Sequence, residues 1–239
     1  MMEPWEIKTD DNRNVNSKKL FIIFCEDGAV EPAYFELFKR EDVHVSAFGN
    51  KKQHHAQVDF ATEHFRKNDL LEWNELGQEI LKIDDGAQVW CVFDRDKELN
   101  DQKDTAFNDS IQNANSKGIR TAWSNDDFEL WILLHFEDVN PENLEYVNRT
   151  KYYERLTVIL KQLLPEETLF QNPKFDYYNS MKSKNRFIQF TYQLMKDNLE
   201  KAIERAEKLE EYHSTIIKPV HLHCPCTKVH HLVKELLSL

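Results

Sequence analysis

The first 135 residues alternate between short apolar runs and longer mixed segments. Four segments have the length and the β-branched and aromatic content of strands: residues 19–25, 43–48, 88–93 and 119–123. The intervening and following segments have helical character: residues 31–40, 54–67, 69–81, 103–116 and 127–136. Because alternating strands and helices are typical of α/β proteins, we predict a mostly parallel four-stranded sheet flanked by helices.

Beyond residue 138 the pattern changes, because strand-like runs give way to long helical segments. The predicted helices there cover residues 151–164, 183–212 and 228–239. We therefore predict a domain boundary near residue 138. It divides the chain into an α/β domain over residues 1–138 and a helical region over residues 139–239 that packs on it.

Composition narrows the class of protein. The 239 residues are 41% hydrophobic and include only 5 glycines, which argues against a glycine-rich phosphate loop. The 4 cysteines do not form the pattern of a disulfide framework, which favours a reducing cytoplasm. Residues 1–17 lack the apolar stretch of a secretory signal, and no apolar run approaches the ~20 residues of a membrane helix. We therefore expect a cytoplasmic protein without a membrane partner.

The formal net charge of −11 counts against broad, non-specific DNA binding, which depends on a large positive field. A local basic patch remains compatible with a nucleic-acid partner. The best candidate patch combines Tyr177, Tyr178, Lys182, Lys184 and Arg186, and Lys151 and Arg155 would extend it. Tyrosine stacking with phosphate contacts suits unpaired nucleic acid, although a solvated helix start explains the same residues equally well.

Acidic side chains follow two of the predicted strands. Asp94 and Asp96 end the third strand, and their spacing places both carboxylates on one face of the sheet and Arg95 on the other. Glu26 comes directly after the first strand. Converging carboxylates repel each other unless a cation lies between them, and Mg²⁺ is the usual cation at such an edge. A turn or helix cap is the alternative for Asp94 and Asp96.

Several motifs occur in a fixed order along the chain. They are Cys25-Glu26, Glu31-Pro32-Ala33-Tyr34-Phe35, Phe93-Asp94-Arg95-Asp96, SNDDFELWILLH at 124–135, and Thr227-Lys228-Val229-His230-His231-Leu232-Val233. With these motifs the sequence resembles the Toprim domain of topoisomerases, primases and OLD-type nucleases. It resembles more closely the RloB-like proteins of phage-defence and restriction loci. Asp27 stands where that family has glycine and Val30 where it has threonine, so the resemblance is weakest in this turn.

The resemblance implies a Toprim-like fold and metal-dependent hydrolysis of DNA or RNA in anti-phage defence. The acidic net charge predicts poor activity on generic DNA and selection of a structured target such as tRNA. The resemblance also implies that Asp94 and Asp96 hold Mg²⁺ or Mn²⁺, and that Glu26 is a general acid or base or a further metal ligand. The alternative is a non-catalytic module that docks on an ATPase or a restriction complex through its C-terminal helices. The number of metal ions and homo-oligomerisation stay open.

Further candidates for phosphate or substrate contacts each have a structural alternative. Glu31 suits the first turn of a helix, where an acid complements the helix dipole. Glu129 forms a capping pair with Asp126. His135 lies near the end of the same helix, where a cation is favoured, but we favour a histidine with its hydrogen bonds satisfied over a phosphate contact. His230 matches the histidine of the last family motif, and we expect it to face the acidic site.

The C-terminal region concentrates side chains that are able to bind zinc: His221, His223, Cys224, Cys226, His230 and His231. Their Cys-x-Cys spacing differs from the Cys-x₂₋₄-Cys of zinc ribbons, and the sequence has no second pair of this kind. We favour a tight turn around Pro225, followed by Thr227 capping the last helix.

Overall fold

The computed structural model describes residues 19–50, 54–96 and 101–238, which form a mixed α/β architecture. Its strands are β1 Lys19–Cys25, β2 Val43–Gly49, β3 Leu71–Trp73, β4 Glu79–Leu81, β5 Ala87–Asp94, β6 Arg120–Asn125 and β7 Cys226–Thr227. The main sheet has five strands in the order β2-β1-β5-β6-β7, of which the first four are parallel and β7 is antiparallel. The four predicted strands are confirmed, and β7 adds a fifth.

Helices cover both faces of this sheet. They are α1 Val30–Glu36, α2 His54–Lys67, α3 Asp101–Ser116, α4 Glu129–Leu134, α5 Arg149–Leu163, α6 Thr168–Gln171, α7 Tyr177–Met181, α8 Lys184–Arg186, α9 Tyr192–Met195, α10 Leu199–Ser214 and α11 Val229–Leu237. Short 3₁₀ turns lie at Leu144–Val147, Lys196–Asn198 and Val220–Leu222.

The predicted helix over residues 69–81 is wrong, because this segment is the β3–β4 hairpin. Its turn is stabilised by Asn74, whose side-chain oxygen accepts hydrogen bonds from the backbone of Leu76 and Gln78 at 3.0 and 2.9 Å. Gly77 supplies a left-handed residue at φ +71°. Asparagine and glycine favour such turns, and this local chemistry outweighs the weak helical pattern.

The predicted helix over residues 183–212 is interrupted rather than continuous. A π-helical turn occupies Phe187–Thr191, and a 3₁₀ turn separates α9 from α10. Phe187, Thr191 and Met195 are all fully buried, so the widened turn keeps this face of the segment against the core.

The sheet separates two hydrophobic clusters, because its central strands are apolar on both faces. Phe21 and Ile23 of β1 face the cluster that contains α1, α4 and the C-terminal helices, whereas Phe24 faces the cluster with α2 and α3. Trp131 and Leu232, from either side of residue 138, share the first cluster. The boundary at that residue stays a prediction.

Residues 1–17, where the sequence predicts no secretory signal, lie outside the described residues. Within the described ranges, every helix is too short or too polar to cross a lipid bilayer.

A close backbone approach fixes the loop that follows β1. A Cβ atom on Gly49, at the end of β2, would lie 2.5 Å from the carbonyl oxygen of Asp27 and 2.6 Å from Cα of Gly28. The backbone of Asn50 also donates a hydrogen bond to the carbonyl of Cys25 at 3.2 Å. Glycine at residue 49 therefore lets β2 pack directly against the loop that carries Glu26.

Candidate metal centre at the carboxyl edge of the sheet

The parallel pairing of β1 and β5 brings Glu26, Asp94 and Asp96 together. The Glu26 amide donates to the carbonyl of Val92 at 3.0 Å, which extends the ladder by one residue. Glu26 Oε2 then accepts the backbone N–H of Asp94 at 3.2 Å. The side chains of Glu26 and Asp96 also share a hydrogen bond. The predicted convergence of these three residues at one sheet edge is therefore present in the structure.

Among these three side chains, Glu26 is the one that is expected to carry a proton at neutral pH. Burial, followed by the neighbouring charge of Asp96, raises the pKa of Glu26 to about 8. Two carboxyl groups form a hydrogen bond only when one of them carries a proton. The raised pKa allows Glu26 to carry that proton at neutral pH.

Asp94 has a buried oxygen without a hydrogen-bond partner. Its Oδ1 atom is shielded from solvent and makes no hydrogen bond within the described structure. Burial, together with the charges of Asp127 and Glu31, raises the pKa of Asp94. An unsatisfied buried oxygen among other acids is costly for a protein, and a bound cation relieves that cost. The oxygen donors at this edge therefore fit a hard divalent cation.

Asp96 turns the chain away from β5 and links it to the loop after β6. Its φ angle of +50° lies in the left-handed region, which aspartate tolerates better than most residues. The Asp96 amide donates to the carbonyl of Asp126 at 3.3 Å. Arg95 extends to the opposite side of the sheet, as predicted, and its Nε donates to Asp104 of α3 at 2.9 Å.

Arg149, at the start of α5, is a residue of this site that sequence reasoning missed. Its Nη1 lies 2.5 Å from Asp96 Oδ1 and 3.1 Å from Asp127 Oδ2. Its Nε and Nη2 bind the two oxygens of Asp126 at 2.9 and 3.0 Å. One guanidinium thus bridges three carboxylates. The predicted helix began at residue 151, two residues too late to include it.

A second cation, Lys182, lies against the acids at the start of α4. Its Nζ is 2.5 Å from Glu129 Oε1 and 3.8 Å from Asp127 Oδ1. Burial lowers the pKa of Lys182, but the charges of Glu129 and Asp127 outweigh burial and raise it. Tyr153 donates to Asp127 Oδ2 at 2.6 Å. Lys182 therefore lies beside the acidic site, where its ammonium group neutralises Glu129.

The predicted capping pair of Asp126 and Glu129 is wrong. The Asp126 side chain binds Arg149, and it is Asp127 Oδ1 that accepts the backbone N–H of Glu129 at 3.2 Å. Glu129 itself is buried, and its Oε2 has no hydrogen-bond partner within the described structure. Burial and the charge of Asp127 raise the pKa of Glu129. Its place beside the strand-end acids keeps it a candidate for the site.

Glu31 and Asp27 form a reciprocal pair at the start of α1. Asp27 Oδ2 accepts the backbone N–H of Val30 at 2.5 Å, and Glu31 Oε2 accepts that of Asp27 at 3.1 Å. This arrangement resembles a capping box. It gives a structural role to both Glu31 and the aspartate that replaces the family glycine. Burial and the charges of Asp27 and Glu26 raise the pKa of Glu31.

His135 is a neutral core residue. It is 2% exposed, lies against Tyr34 and Trp131, and donates from Nδ1 to the carbonyl of Trp131 at 2.9 Å. Burial lowers the pKa of His135 to about 4. The structure therefore agrees with the favoured interpretation, a buried histidine with its hydrogen bond satisfied, rather than with a cation at this helix end.

This buried histidine predicts a loss of stability in acid. Because its folded-state pKa lies below the ordinary value, its contribution is complete above about pH 6.5 and is lost as pH falls towards 4. The free energy of unfolding should fall by about 2 kcal/mol from this residue between pH 7.5 and pH 5. Urea unfolding of His135→Gln should show a shallower acid loss than wild type, whereas exposed His44→Gln should match wild type. An equal pH slope in all three proteins contradicts the prediction.

The predicted basic and aromatic patch is not continuous. Tyr177 is fully buried, whereas Tyr178 is 56% exposed. Arg186 donates to the carbonyl of Ser180 at 2.8 Å, and Lys184 is exposed on α8. The proposed extensions are each paired with an acid: Lys151 with Glu145 and Arg155 with Glu137, both at 2.6 Å.

His230 lies against α10 rather than against the strand-end acids. His230 and His231 donate from Nε2 to the same oxygen of Glu210 at 2.9 and 2.7 Å. Within the described ranges, these three are the group whose possible ligand atoms all lie within 4.8 Å of one another. Lys228 binds the other oxygen of Glu210, so the glutamate charge is already balanced without a metal.

The cysteines do not join this group. Cys226 is buried in β7, and Cys224 Sγ lies 3.5 Å from the carbonyl oxygen of Asn125. The N-cap of the last helix is Lys228 rather than the predicted Thr227, although Thr227 Oγ1 accepts the backbone N–H of Val229 at 3.3 Å.

Comparisons with curated proteins and with solved structures found no match. A family model described as RloB-like protein matches residues 21–236. The matched range includes every candidate residue of the acidic site, from Glu26 to Lys182. Because the match covers nearly the whole sequence, the chain belongs to the RloB-like family.

Proposed function

We propose that this protein is a metal-dependent nuclease with a Toprim-like α/β domain that hydrolyses phosphodiester bonds in DNA or RNA. The observation that carries the proposal is the convergence of Glu26, Asp94 and Asp96 at one sheet edge, with an unpartnered buried oxygen on Asp94. Oxygen donors of this kind suit Mg²⁺ or Mn²⁺. When bound, such a cation polarises a phosphoryl oxygen and stabilises the charge that develops during hydrolysis.

The side chains of the chain have distinct roles in this proposal. Asp94 and Asp96 supply oxygen ligands at the end of β5. Glu26 contacts both Asp94 and Asp96, so it is placed to act as a general acid or base or as a further metal ligand. Arg149 is 27% exposed and already binds Asp96, so it is positioned to contact a phosphate beside the site.

The proposed biological role is defence against phage in the cytoplasm. The net charge of −11 disfavours generic duplex DNA, because such binding depends on many phosphate contacts. A nuclease with an acidic net charge is expected to select a structured or unpaired target, and a tRNA is one such target.

The test is cleavage of labelled tRNA, single-stranded RNA, single-stranded DNA and duplex DNA by the purified protein. We expect cleavage of at least one substrate with Mg²⁺ or Mn²⁺, its loss in EDTA, and its return when metal is restored. The Asp94→Asn/Asp96→Asn variant should be inactive, and Glu72→Gln, on the exposed hairpin, should retain wild-type activity. Cleavage that persists in EDTA or in the double variant overturns the proposal.

A second candidate is a non-catalytic module that docks on an ATPase or a restriction complex. The ion pairs within the acidic cluster favour it, because Arg149 and Lys182 already pair with Asp126, Asp127 and Glu129. Acids held in this way also serve as structural links. Metal-independent co-purification with such a partner, without cleavage of any substrate, supports this second candidate.

A further inference from the structure

A cavity of about 740 Å³ opens between α5 and the start of α7. Its walls include Arg149, Tyr153, Glu154, Thr157, Asp176 and Tyr178. The volume lies within the range of small-molecule sites, which is ~300–1,000 Å³. The cavity is therefore large enough for one nucleoside.

Two residues that line the cavity also belong to the acidic site. Arg149 reaches from the cavity to Asp96 at 2.5 Å, and Tyr153 reaches to Asp127 at 2.6 Å. One arginine thus contacts the strand-end acids on one side and borders the cavity on the other. A ligand in the cavity lies one side chain away from the proposed metal centre.

Aromatic rings line the cavity and leave one ring accessible. Tyr178 is 56% exposed, and its ring centroid lies 5.1 Å from that of Tyr153. Tyr153 is fixed from behind by the parallel ring of buried Tyr177 at 6.3 Å and by Lys182 Nζ at 5.2 Å from its centroid. Tyr178 therefore lies against a ring that is held by its own contacts, and more than half of the Tyr178 surface is open to solvent.

The charged residues that line the cavity indicate which part of a nucleotide would lie inside it. Glu154 is exposed on α5, and the carboxylate of Asp176 accepts hydrogen bonds from Asn179 at the start of α7. Two acids in the walls repel a phosphate from the interior but accept hydrogen bonds from the amino group of a base. The guanidinium of Arg149, on the side of the acidic site, attracts the phosphate instead.

We propose that this cavity binds one unpaired nucleobase of a single-stranded nucleic acid, stacked on Tyr178, with its phosphate directed along Arg149 towards the acidic site. The inference rests on the proposed function and assigns it a substrate class, an unpaired nucleotide at the cleavage position. A base in a duplex does not offer a free face for stacking, so the cavity selects unpaired segments.

The test is binding measured in EDTA, where cleavage does not interfere. Single-stranded RNA and DNA oligonucleotides that carry 2-aminopurine are titrated with the full-length protein, and quenching of the fluorescent base reports stacking. We expect saturable quenching with at least one of them, and the stronger-binding one identifies the natural source as RNA or DNA. Tyr178→Ala should weaken binding by about tenfold, because stacking of one base on an aromatic ring contributes about that factor.

Two variants separate stacking from other effects. Tyr178→Phe keeps the ring and should bind as wild type does. Trp73→Ala removes a more exposed aromatic side chain, on the β3–β4 hairpin, and should also be neutral. The inference is overturned if neither oligonucleotide is quenched, or if Tyr178→Ala and wild type bind with equal affinity. The cavity would then have an occupant of another class, such as a peptide.

The outcomes also separate this inference from the proposed function. Metal-dependent cleavage that Tyr178→Ala leaves unchanged overturns the base site and retains the nuclease. If a base stacks in the cavity but the protein does not cleave any strand, the cavity is a nucleic-acid-binding site and the catalytic proposal is overturned.

Discussion

Replacement of Asp94 by asparagine is expected to reduce metal-dependent cleavage by about 1,000-fold, because a metal ligand that contributes several kcal/mol to the transition state is lost. Asparagine has nearly the same shape as aspartate and keeps the backbone N–H that binds Glu26. The expected loss is therefore chemical rather than steric. Initial rates under single-turnover conditions, with Mg²⁺ and a substrate that the wild type cleaves, measure it.

The same substitution is expected to stabilise the metal-free protein. Burial and the surrounding acids raise the pKa of Asp94, so its charged form is disfavoured, and a neutral amide relieves the repulsion. We expect a gain of about 1–2 kcal/mol in the free energy of unfolding in EDTA, as is common when a strained site is relaxed. Mg²⁺ should raise the melting temperature of wild type more than that of Asp94→Asn, because only a folded state with an intact site binds the ion tightly.

The two readouts together distinguish a metal ligand from a structural acid. Loss of activity with a gain in metal-free stability is the signature of a ligand. Loss of activity together with loss of stability indicates that Asp94 is needed for folding. Retention of activity removes Asp94 from the proposed site. Glu72→Gln, on the exposed hairpin, controls for the removal of one negative charge and should change neither quantity.

The strands and the strand-end acids were predictable because their determinants are local. β1 and β5 are buried on both faces, so they appear as unbroken apolar runs, and the charged residue that ends each run is visible in the sequence. β1 and β5 are parallel neighbours in the sheet, so their ends meet at one edge, and the order of the family motifs pointed to the same pairing. This is why Glu26 and Asp94 could be paired although 68 residues separate them.

The rest of the site depends on tertiary packing. Arg149 lies 53 residues after Asp96 and occupies the first position of a helix, where an exposed cation would look the same in sequence. Tyr177 and Tyr178 are adjacent and chemically identical, yet one is buried and the other is exposed. The five-residue π turn and the β7 strand of two residues are also too short to produce a pattern. None of these features has a periodic signal from which it could be inferred.

Replacement of Arg149 by methionine is expected to destabilise the protein by about 3 kcal/mol, because three carboxylates at the site lose their shared cation. The side chains of Asp126 and Asp127 are each 3% exposed, so water screens their repulsion poorly. For a chain of this length the melting temperature should fall by about 6–12 °C. Arg186→Met is the matched control, since Arg186 is exposed and donates to a single backbone carbonyl, and its effect should stay within about 0.5 kcal/mol.

A double-mutant cycle identifies the cause of that loss. In the Arg149→Met background, Asp126→Asn removes the carboxylate that Arg149 binds through two nitrogens, and it should recover part of the lost stability. In the wild-type background the same substitution should destabilise, because it weakens the bridge. The opposite signs would show that Arg149 stabilises the fold by neutralising the acidic cluster. A destabilisation by Asp126→Asn that is equal in both backgrounds assigns the effect of Arg149 to packing of its aliphatic chain instead.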